Sequence, residues 1–341
     1  MDLSLPSAAQ FKCLPYSHSW VALHPRPKGV IQFVGTTLLG TFPTMTYRHF
    51  LKSLFEAGYT VVSFPFRFTL DHWSVALDLL EEHYAVRGAM IEAAVAKGYD
   101  PGVYLDVTNY TWIGHGLGCK YVTLLEVLSS PMEVLEKHFQ ILGQDLATQN
   151  RQIRQLQTGL AALQNNLRSL EQRILQLTGQ TVDYGQPSIM DEASLLLAPV
   201  VTDLNGAIPV KFLERFFGRR ITIYPTVEQT HQLIEHSQLF HLTGLLQFAR
   251  DRIAADTCQQ LMQEQPHIRR RLLKGNHSEV VGLQLGQCVV DMNPLDKFIQ
   301  PLTHRDLESK SLTFLQRLRH QPASVSRQSN CRASDRRSIA A

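Results

Sequence analysis

Residues 110–119 read YTWIGHGLGC, and this stretch decides the fold class of the chain. The first four residues have the β-branched and aromatic character of a buried strand, and they run straight into a turn with three glycines. A strand, a glycine-flanked turn and a helix in this order form the layout of the nucleophile elbow, G-x-S-x-G. Gly116 stands where that elbow carries serine. The alternatives for GHGLG are a plain tight turn and an anion-binding glycine loop.

Two later segments follow the elbow in the order in which such hydrolases place their acid and their histidine. Asp251 comes after the apolar run at 245–248, and His277 comes after the segment at 269–273. Each match is weak by itself, because a lone Asp is often a turn residue and a lone His is often an exposed loop residue. Since the three occur together, we favour an elbow with a vestigial triad, or a dyad of Asp251 and His277. Asp256 competes with Asp251 as the acid.

The backbone near the elbow contains candidates for an oxyanion hole and for a substitute nucleophile. In this layout, the N–H group after the nucleophile and one from the loop after an early strand bind the oxyanion. These residues are Leu117 and either Thr36 or Thr37. Cys119 lies on the first helical turn, where the helix dipole favours a thiolate. We favour a packing role for Cys119, because that position faces the sheet.

Predicted strands alternate with predicted helices through the first half of the chain. Continuous apolar strands between amphipathic helices are typical of a parallel sheet that is covered on both faces. The strand patterns cover residues 20–23, 30–34, 59–64 and 110–113, and later 194–201, 245–248 and 269–273; the helical patterns cover 47–57 and 74–97. Asp71 and His72 follow an early strand and so belong to the carboxyl edge of the sheet, where structural and functional roles stay open.

From residue 131 to 180 the apolar residues fall at alternating spacings of three and four. Such an a/d seam is the signature of a coiled-coil helix. The seam consists of Met132, Leu135, Phe139, Leu142, Leu146, Ile153, Leu156, Leu160, Leu163, Leu167, Leu170, Ile174 and Leu177. A second copy of the chain, a fold-back hairpin or the hydrolase body can cover it. A bend, and therefore a hairpin, is favoured by Gly143, Gln149 and Gly159. The unbroken register favours a long straight helix and a homodimer. We prefer the hairpin, because the uncharged e and g positions give a dimer little pairing specificity.

Composition limits the classes of function. The chain has 341 residues, of which 44% are hydrophobic, and a formal net charge of +3. Outside the basic tail at 320–341 it lacks the clustered positive face that a nucleic-acid-binding protein needs. The five cysteines form no C-x-x-C pair, and the chain has neither a signal-peptide pattern nor a transmembrane-length apolar run. We therefore expect a cytoplasmic protein with free thiols, no metal, no cofactor and no nucleic-acid partner.

Several longer stretches resemble an uncharacterised α/β-hydrolase-like family of cyanobacteria and plastids, a domain-of-unknown-function family. They are SWVALHPRPKGVIQFVG at 19–35, GTFPTMTYRHFL at 40–51, GYTVVSFPFRFTLDHW at 58–73, NYTWIGHGLGCKYV at 109–122, LLLAPVVTDLNGAIP at 195–209 and GNH at 275–277. The resemblance implies the fold but no established activity. The family pattern has Ser in the elbow, Gly-Gly after the VIQFV-like strand and Leu-Pro after the histidine. Gly116, Thr36-Thr37 and Ser278-Glu279-Val280 stand there in this chain.

The expected architecture is an α/β fold of the α/β-hydrolase type, with a mostly parallel sheet, a helical coiled-coil-like insertion and a second helical lid segment. Residues 1–130 would form the first part of the hydrolase-like domain and 131–180 the insertion. Residues 181–319 would form the second part, with the lid at 202–240, and 320–341 a disordered tail.

Two hypotheses for function follow. The favoured one is a non-catalytic protein that binds a partner or a small apolar ligand, with self-association through the heptad insertion. The other is an atypical hydrolase or lyase, in which His277 and Asp251 act without serine on a small apolar ester-like or carbonyl substrate. The missing serine argues against covalent acyl chemistry at residue 116 but leaves the second hypothesis open.

Overall fold

An eight-stranded sheet with helices on both faces forms the core of the computed structural model, which describes residues 9–37, 39–67, 69–142, 146–201, 223–236, 242–290, 299–301 and 305–319. The strands are β1 (Leu14–Tyr16), β2 (Ser19–Ala22), β3 (Val30–Val34), β4 (Thr60–Phe64), β5 (Tyr110–His115), β6 (Ala193–Leu197), β7 (Thr243–Phe248) and β8 (Arg269–Leu273). A small antiparallel sheet contains β9 (Leu283–Leu285), β10 (Cys288–Val290) and β11 (Ile299–Pro301).

The helices connect the strands and cover the sheet. They are α1 (Pro43–Thr46), α2 (Arg48–Glu56), α3 (His72–Ala96), α4 (Gly102–Leu105), α5 (Leu117–Leu128), α6 (Met132–Ile141), α7 (Leu146–Thr178), α8 (Val227–His236), α9 (Ala255–Glu264) and α10 (Leu307–Arg319). Helices α3 and α5 lie on one face, where His83 contacts Gln32 and Glu126 contacts Ser194. Helices α2 and α10 lie on the other face of the sheet.

The order of strands in the large sheet is β1-β2-β4-β3-β5-β6-β7-β8. Strand β2 pairs antiparallel with β1 and with β4, and all pairs from β4 to β8 are parallel. This is the strand order of the α/β-hydrolase fold, so the predicted fold class is confirmed. Strand β5 is central, because Ile113 pairs with Phe33 on one side and with Leu195 on the other.

Two strand ends differ from the sequence-based expectation, and both border the elbow. Strand β5 continues to His115, two residues beyond the predicted end. Strand β6 ends at Leu197 and does not reach residue 201. The reason is Ala198, whose φ of 47° lies in the left-handed region and ends the extended backbone. The chain then turns back towards the elbow, where Val200 donates its N–H to the carbonyl of Gly116 at 3.1 Å.

Two buried carboxylates lie on the α3–α5 face of the sheet. Glu192 accepts hydrogen bonds from Arg87, Gln32 and Trp112, each at 2.8 Å. Glu126 accepts from the hydroxyls of Ser194 at 2.5 Å and Thr243 at 3.0 Å. Burial raises the pKa of Glu126 to about 7, and the two hydroxyl hydrogen bonds oppose that increase.

The apolar seam of the predicted insertion is buried within the chain itself. Helix α6 packs on α7, and α7 lies along α3. Leu156, Leu163, Leu167 and Ile174 are at most 3% exposed, whereas Leu177 at the end of the seam is 38% exposed. A Cβ added to Gly159 would lie 2.2 Å from Leu77 of α3, so this glycine lets the two helices approach closely and marks no bend within α7. Helix α6 therefore folds back on the first part of the seam, where Leu156 clusters with Leu135 and Phe139, and the hydrolase body covers the later part.

Two predicted segments fall largely outside the described residues. Of the lid predicted at 202–240, residues 223–236 are described, and they contain helix α8. The tail predicted at 320–341 lies wholly outside them. Within the part of the chain that the structure describes, no helix is long and apolar enough to cross a membrane.

Candidate active site

The turn between β5 and α5 has the backbone geometry of a nucleophile elbow. Gly116 has φ 55° and ψ −119°, a conformation that side-chain-bearing residues rarely adopt. Its N–H donates to the carbonyl of Leu197 at 3.1 Å, which fixes the turn against the end of β6. Gly118 is required for a second reason, because a Cβ there would lie 2.1 Å from the carbonyl oxygen of Val34. The turn therefore sits tightly on the ends of β3 and β6.

Asp251 and His277 form a hydrogen-bonded pair beside the elbow. His277 Nδ1 lies 3.0 Å from Asp251 Oδ2, and the Asp251 side chain is fully buried. The other oxygen, Oδ1, accepts the N–H groups of Ile253 at 2.9 Å and Ala254 at 3.0 Å. Burial raises the pKa of the Asp251 carboxyl, but the hydrogen bond and charge of His277 and these two N–H groups outweigh it and lower the pKa below its ordinary value. Asp251 is therefore an ionised acceptor that orients the imidazole ring.

The second nitrogen of His277 faces the elbow. A Cβ placed on Gly116 would lie 3.5 Å from His277 Nε2. Because Nδ1 donates its proton to the carboxylate of Asp251, Nε2 of the neutral ring carries the lone pair. The structure thus brings Gly116, Asp251 and His277 together in the arrangement of a serine hydrolase triad, with a glycine in the serine position.

Thr36 fills the space that a side chain at residue 116 would occupy. Thr36 Oγ1 lies 2.4 Å from the position of that Cβ, and Thr36 Cβ lies 2.9 Å from it. The N–H of Leu117, which was the expected oxyanion donor, instead donates to Thr36 Oγ1 at 3.3 Å. Thr37 is buried, and its carbonyl accepts the N–H of Leu39 at 2.7 Å. The hydroxyl of Thr36 therefore occupies the space next to the elbow and accepts the Leu117 N–H.

Tyr47 and His115 connect the two loops that form the site, and both were missed in the sequence. His115 Nε2 lies 3.0 Å from the carbonyl of His277, so Nε2 donates; Nδ1 then accepts from the Tyr47 hydroxyl at 2.9 Å. Tyr47 in turn accepts the N–H of Thr36 at 3.0 Å. Burial, with the nearby His277, lowers the pKa of His115 to about 3, so its ring is neutral. A signal for His115 was its place inside the elbow motif, whereas nothing in the sequence pattern marked Tyr47.

The remaining candidates lie outside this cluster or are occupied by structural contacts. Cys119 is buried and donates to the carbonyl of Leu197 at 3.4 Å, and burial raises the pKa of its thiol far above the ordinary value. Asp256 is exposed in the first turn of α9, and His277 pairs with Asp251 instead.

Asp71 and His72 belong to the start of α3. The Asp71 carboxylate caps α3 by accepting from Trp73 and Ser74. His72 is buried against Tyr121, and burial together with Lys120 lowers the pKa of His72 to about 3. Their contacts are those of a helix cap and a neutral core histidine. No group of three or more His, Cys, Asp or Glu side chains with the spacing of a metal site occurs in the described ranges.

Comparisons with known proteins concern the fold and the family. Residues 15–150 match the model of a family described as "Protein of unknown function (DUF1350)", which confirms the predicted resemblance to a domain-of-unknown-function family over that range. No curated protein matches the sequence.

Several solved esterase structures are similar to this chain at low sequence identity. The propionate-bound Est2 of the planctomycete Thermogutta terrifontis is 12% identical, with 92% of this chain and 96% of that chain covered and a TM-score of 0.45. Esterase B of Lactobacillus rhamnosis is 11% identical, with 86% and 77% covered and a TM-score of 0.44. A putative carboxylesterase of Lactobacillus plantarum is 12% identical, with 80% and 88% covered and a TM-score of 0.40.

Proposed function

We propose that this protein is an α/β-hydrolase-fold enzyme without a serine nucleophile, in which His277 acts as a general base on a small apolar ester-like or carbonyl substrate. The observation that carries the proposal is the hydrogen bond of 3.0 Å between His277 Nδ1 and the buried Asp251 carboxylate. A buried carboxylate that orients an imidazole fixes the tautomer and stabilises the imidazolium that forms when the ring takes a proton.

The surroundings of His277 suit this role. Its side chain is 18% exposed, so a bound molecule can reach the ring. Its Nε2 faces the elbow, and no hydrogen bond to Nε2 occurs within the described ranges of the chain. The backbone carbonyl of His277 also accepts a hydrogen bond from His115, and this bond fixes the loop after β8 to the end of β5. A base with a free lone pair, a fixed ring and an accessible face is the arrangement that proton abstraction requires.

Matched pairs of variants test the proposal. With p-nitrophenyl esters of short acids, His277→Ala and Asp251→Asn should each lower kcat/KM by at least about a hundredfold, since a positioned base contributes about 10²–10⁴-fold. His267→Ala and Asp256→Asn alter an exposed histidine and the exposed neighbouring acid, and both should leave kcat/KM unchanged. Equal activity in Asp251→Asn and Asp256→Asn would refute the dyad.

A second candidate function is the non-catalytic binding of a small apolar ligand or a partner, and the position of Thr36 favours it. Its hydroxyl takes the Leu117 N–H that an oxyanion would need, and the elbow has no side chain of its own. Under this hypothesis the wild-type protein is inert towards every ester tested, while short fatty acids raise its Tm. Turnover that depends on His277 would exclude it.

A further inference from the structure

We infer that Thr36 supplies the nucleophilic hydroxyl of this site, with acyl esters of small acids as its substrates; this inference rests on the proposed general base His277. In the hydrolase layout the nucleophile projects from the residue at the tip of the elbow. Here the hydroxyl belongs to the loop that follows β3 and lies 2.4 Å from the position that a Cβ on Gly116 would take.

Two distances measured from one point support this placement. The point is the position that a Cβ on Gly116 would take, 2.4 Å from Thr36 Oγ1 and 3.5 Å from His277 Nε2. A serine at 116 would hold its oxygen within one bond of that point. Thr36 therefore places an oxygen in the space that the missing serine side chain would occupy, and His277 Nε2 borders the same space.

The loop holds Thr36 firmly while leaving its side chain accessible. The Thr36 N–H donates to Tyr47 at 3.0 Å, and its carbonyl accepts the N–H of Gly40 at 2.6 Å. The residue itself is only half-buried. The neighbouring thiol of Cys119 is less suited, because it is buried and bonded to the carbonyl of Leu197. A fixed backbone that holds a hydroxyl in a partly accessible site is the form in which a nucleophile is preorganised.

The reaction needs no group beyond these residues and water. Thr36 Oγ1 bonds to the acyl carbon, its proton passes to His277 Nε2, and the carbonyl electron pair moves onto the carbonyl oxygen. When that pair returns, the bond from carbon to the alcohol oxygen breaks, and the alcohol leaves with the proton from His277. Water then adds to the Thr36 ester and gives a proton to His277. Cleavage of the bond between carbon and Thr36 releases the acid, and the proton returns to Oγ1.

The N–H of Leu117 can act as the oxyanion donor both when the Thr36 ester forms and when water cleaves it. It donates to Oγ1 at 3.3 Å in the resting site. Once Oγ1 is bonded to the acyl carbon, the developing oxyanion on that carbon comes within reach of the same N–H. The donor can then shift from the hydroxyl to the oxyanion, where a single backbone N–H is typically worth on the order of a hundredfold or more in rate.

Labelling with an alkyl fluorophosphonate tests the inference on the full chain. The adduct should be found in the tryptic peptide of residues 29–48, and fragmentation should assign it to Thr36. Thr36→Val, which keeps the shape and removes the hydroxyl, should lose the label and reduce ester turnover by more than about a hundredfold. Thr36→Ser should keep both. Thr41→Val, an exposed threonine of the same peptide, is the matched control and should behave as wild type.

Each contrary outcome has a separate meaning. Turnover that survives in Thr36→Val but is lost in His277→Ala overturns the role of Thr36 and leaves the proposed base in place. A label on any serine near the elbow, or on Cys119, overturns the inference as well. A wild-type protein that takes no label and turns over no ester overturns both proposals. Loss of label in Thr36→Val and its retention in Thr36→Ser support the hydroxyl specifically, because both variants keep a side chain at residue 36.

Discussion

A serine introduced at residue 116 should compete with Thr36 for one space, and a double-mutant cycle measures that competition. Gly116→Ser puts a side chain on a backbone with φ 55°, for which strain costs about 1–3 kcal/mol. The new Cβ would also lie 2.4 Å from Thr36 Oγ1, well inside contact distance, and such overpacking costs about 1–3 kcal/mol more. The single variant should therefore be less stable than wild type by about 2–6 kcal/mol.

In a Thr36→Gly background only the backbone strain remains, so the coupling between the two sites should be about 1–3 kcal/mol. Urea denaturation followed by far-UV circular dichroism gives the free energy of unfolding of the four proteins. The double variant should also take a fluorophosphonate label on the serine introduced at the elbow, because its oxygen then faces His277 without obstruction. A coupling below about 0.5 kcal/mol, the usual scatter of additive sites, would refute the overlap of Thr36 with the missing side chain.

Two further predictions concern the helices around the site. Leu167→Ala on α7 should lower the free energy of unfolding by about 2–5 kcal/mol, because Leu167 is fully buried, while Leu175→Ala on an exposed position of the same helix should change it by less than about 0.5 kcal/mol. Sedimentation of the two variants should be unchanged, since the seam packs on α3 of the same chain; a wild-type dimer that Leu167→Ala dissociates would contradict this. The pKa of Glu126, raised to about 7 in the folded chain from an ordinary value near 4.5, means that folding binds a proton between these values. The contribution of Glu126 to stability should therefore fall by up to about 3 kcal/mol as pH rises from about 4.5 to about 7. It is measured as the difference in pH dependence between wild type and Glu126→Gln, because the buried neutral rings of His72 and His115 change the total stability in the opposite direction.

The elements that form the site could be predicted from local pattern, because their chemistry is local. Buried parallel strands need apolar residues on both faces, and the elbow needs glycines wherever its backbone meets the strand ends. The order of Gly116, Asp251 and His277 along the chain then follows from the topology, since all three come after parallel strands and meet at one edge of the sheet. The choice of Asp251 over Asp256 could not be fixed in the same way, because it depends on the path of the loop after β7.

The contacts between loops could not be predicted from the periodicity of the sequence. The link from Thr36 through Tyr47 and His115 to the carbonyl of His277 joins residues from separate segments of the chain, and none has a spacing that marks the contact. For the same reason, the sequence did not determine which part of the protein packs against the heptad seam. A stripe at three–four spacing shows that one face of a helix is buried but carries no information on what buries it. The close approach of Gly159 to Leu77 identifies α3 as one cover, and the cluster of Leu156 with Phe139 identifies α6 as the other.

The family that the sequence resembles was expected to carry Ser and Gly where this chain has Gly116 and Thr36, and we interpret these two differences as one exchange, because the two residues are neighbours in the structure. The single space between the elbow and the loop after β3 can hold one side chain, since Oγ1 of Thr36 lies 2.4 Å from the position of a Cβ on residue 116. Serine with glycine fills it from the elbow, and glycine with threonine fills it from the loop. Serine with threonine overfills it, and two glycines leave it empty, so the pair is expected to change together. Both filled arrangements keep one hydroxyl in this space, which His277 Nε2 borders at 3.5 Å from the Cβ position, and the bond of His277 to Asp251 is intact. A site without chemical function would not require a hydroxyl next to an oriented base. We therefore favour a nucleophile relocated to Thr36 over a non-catalytic binding site.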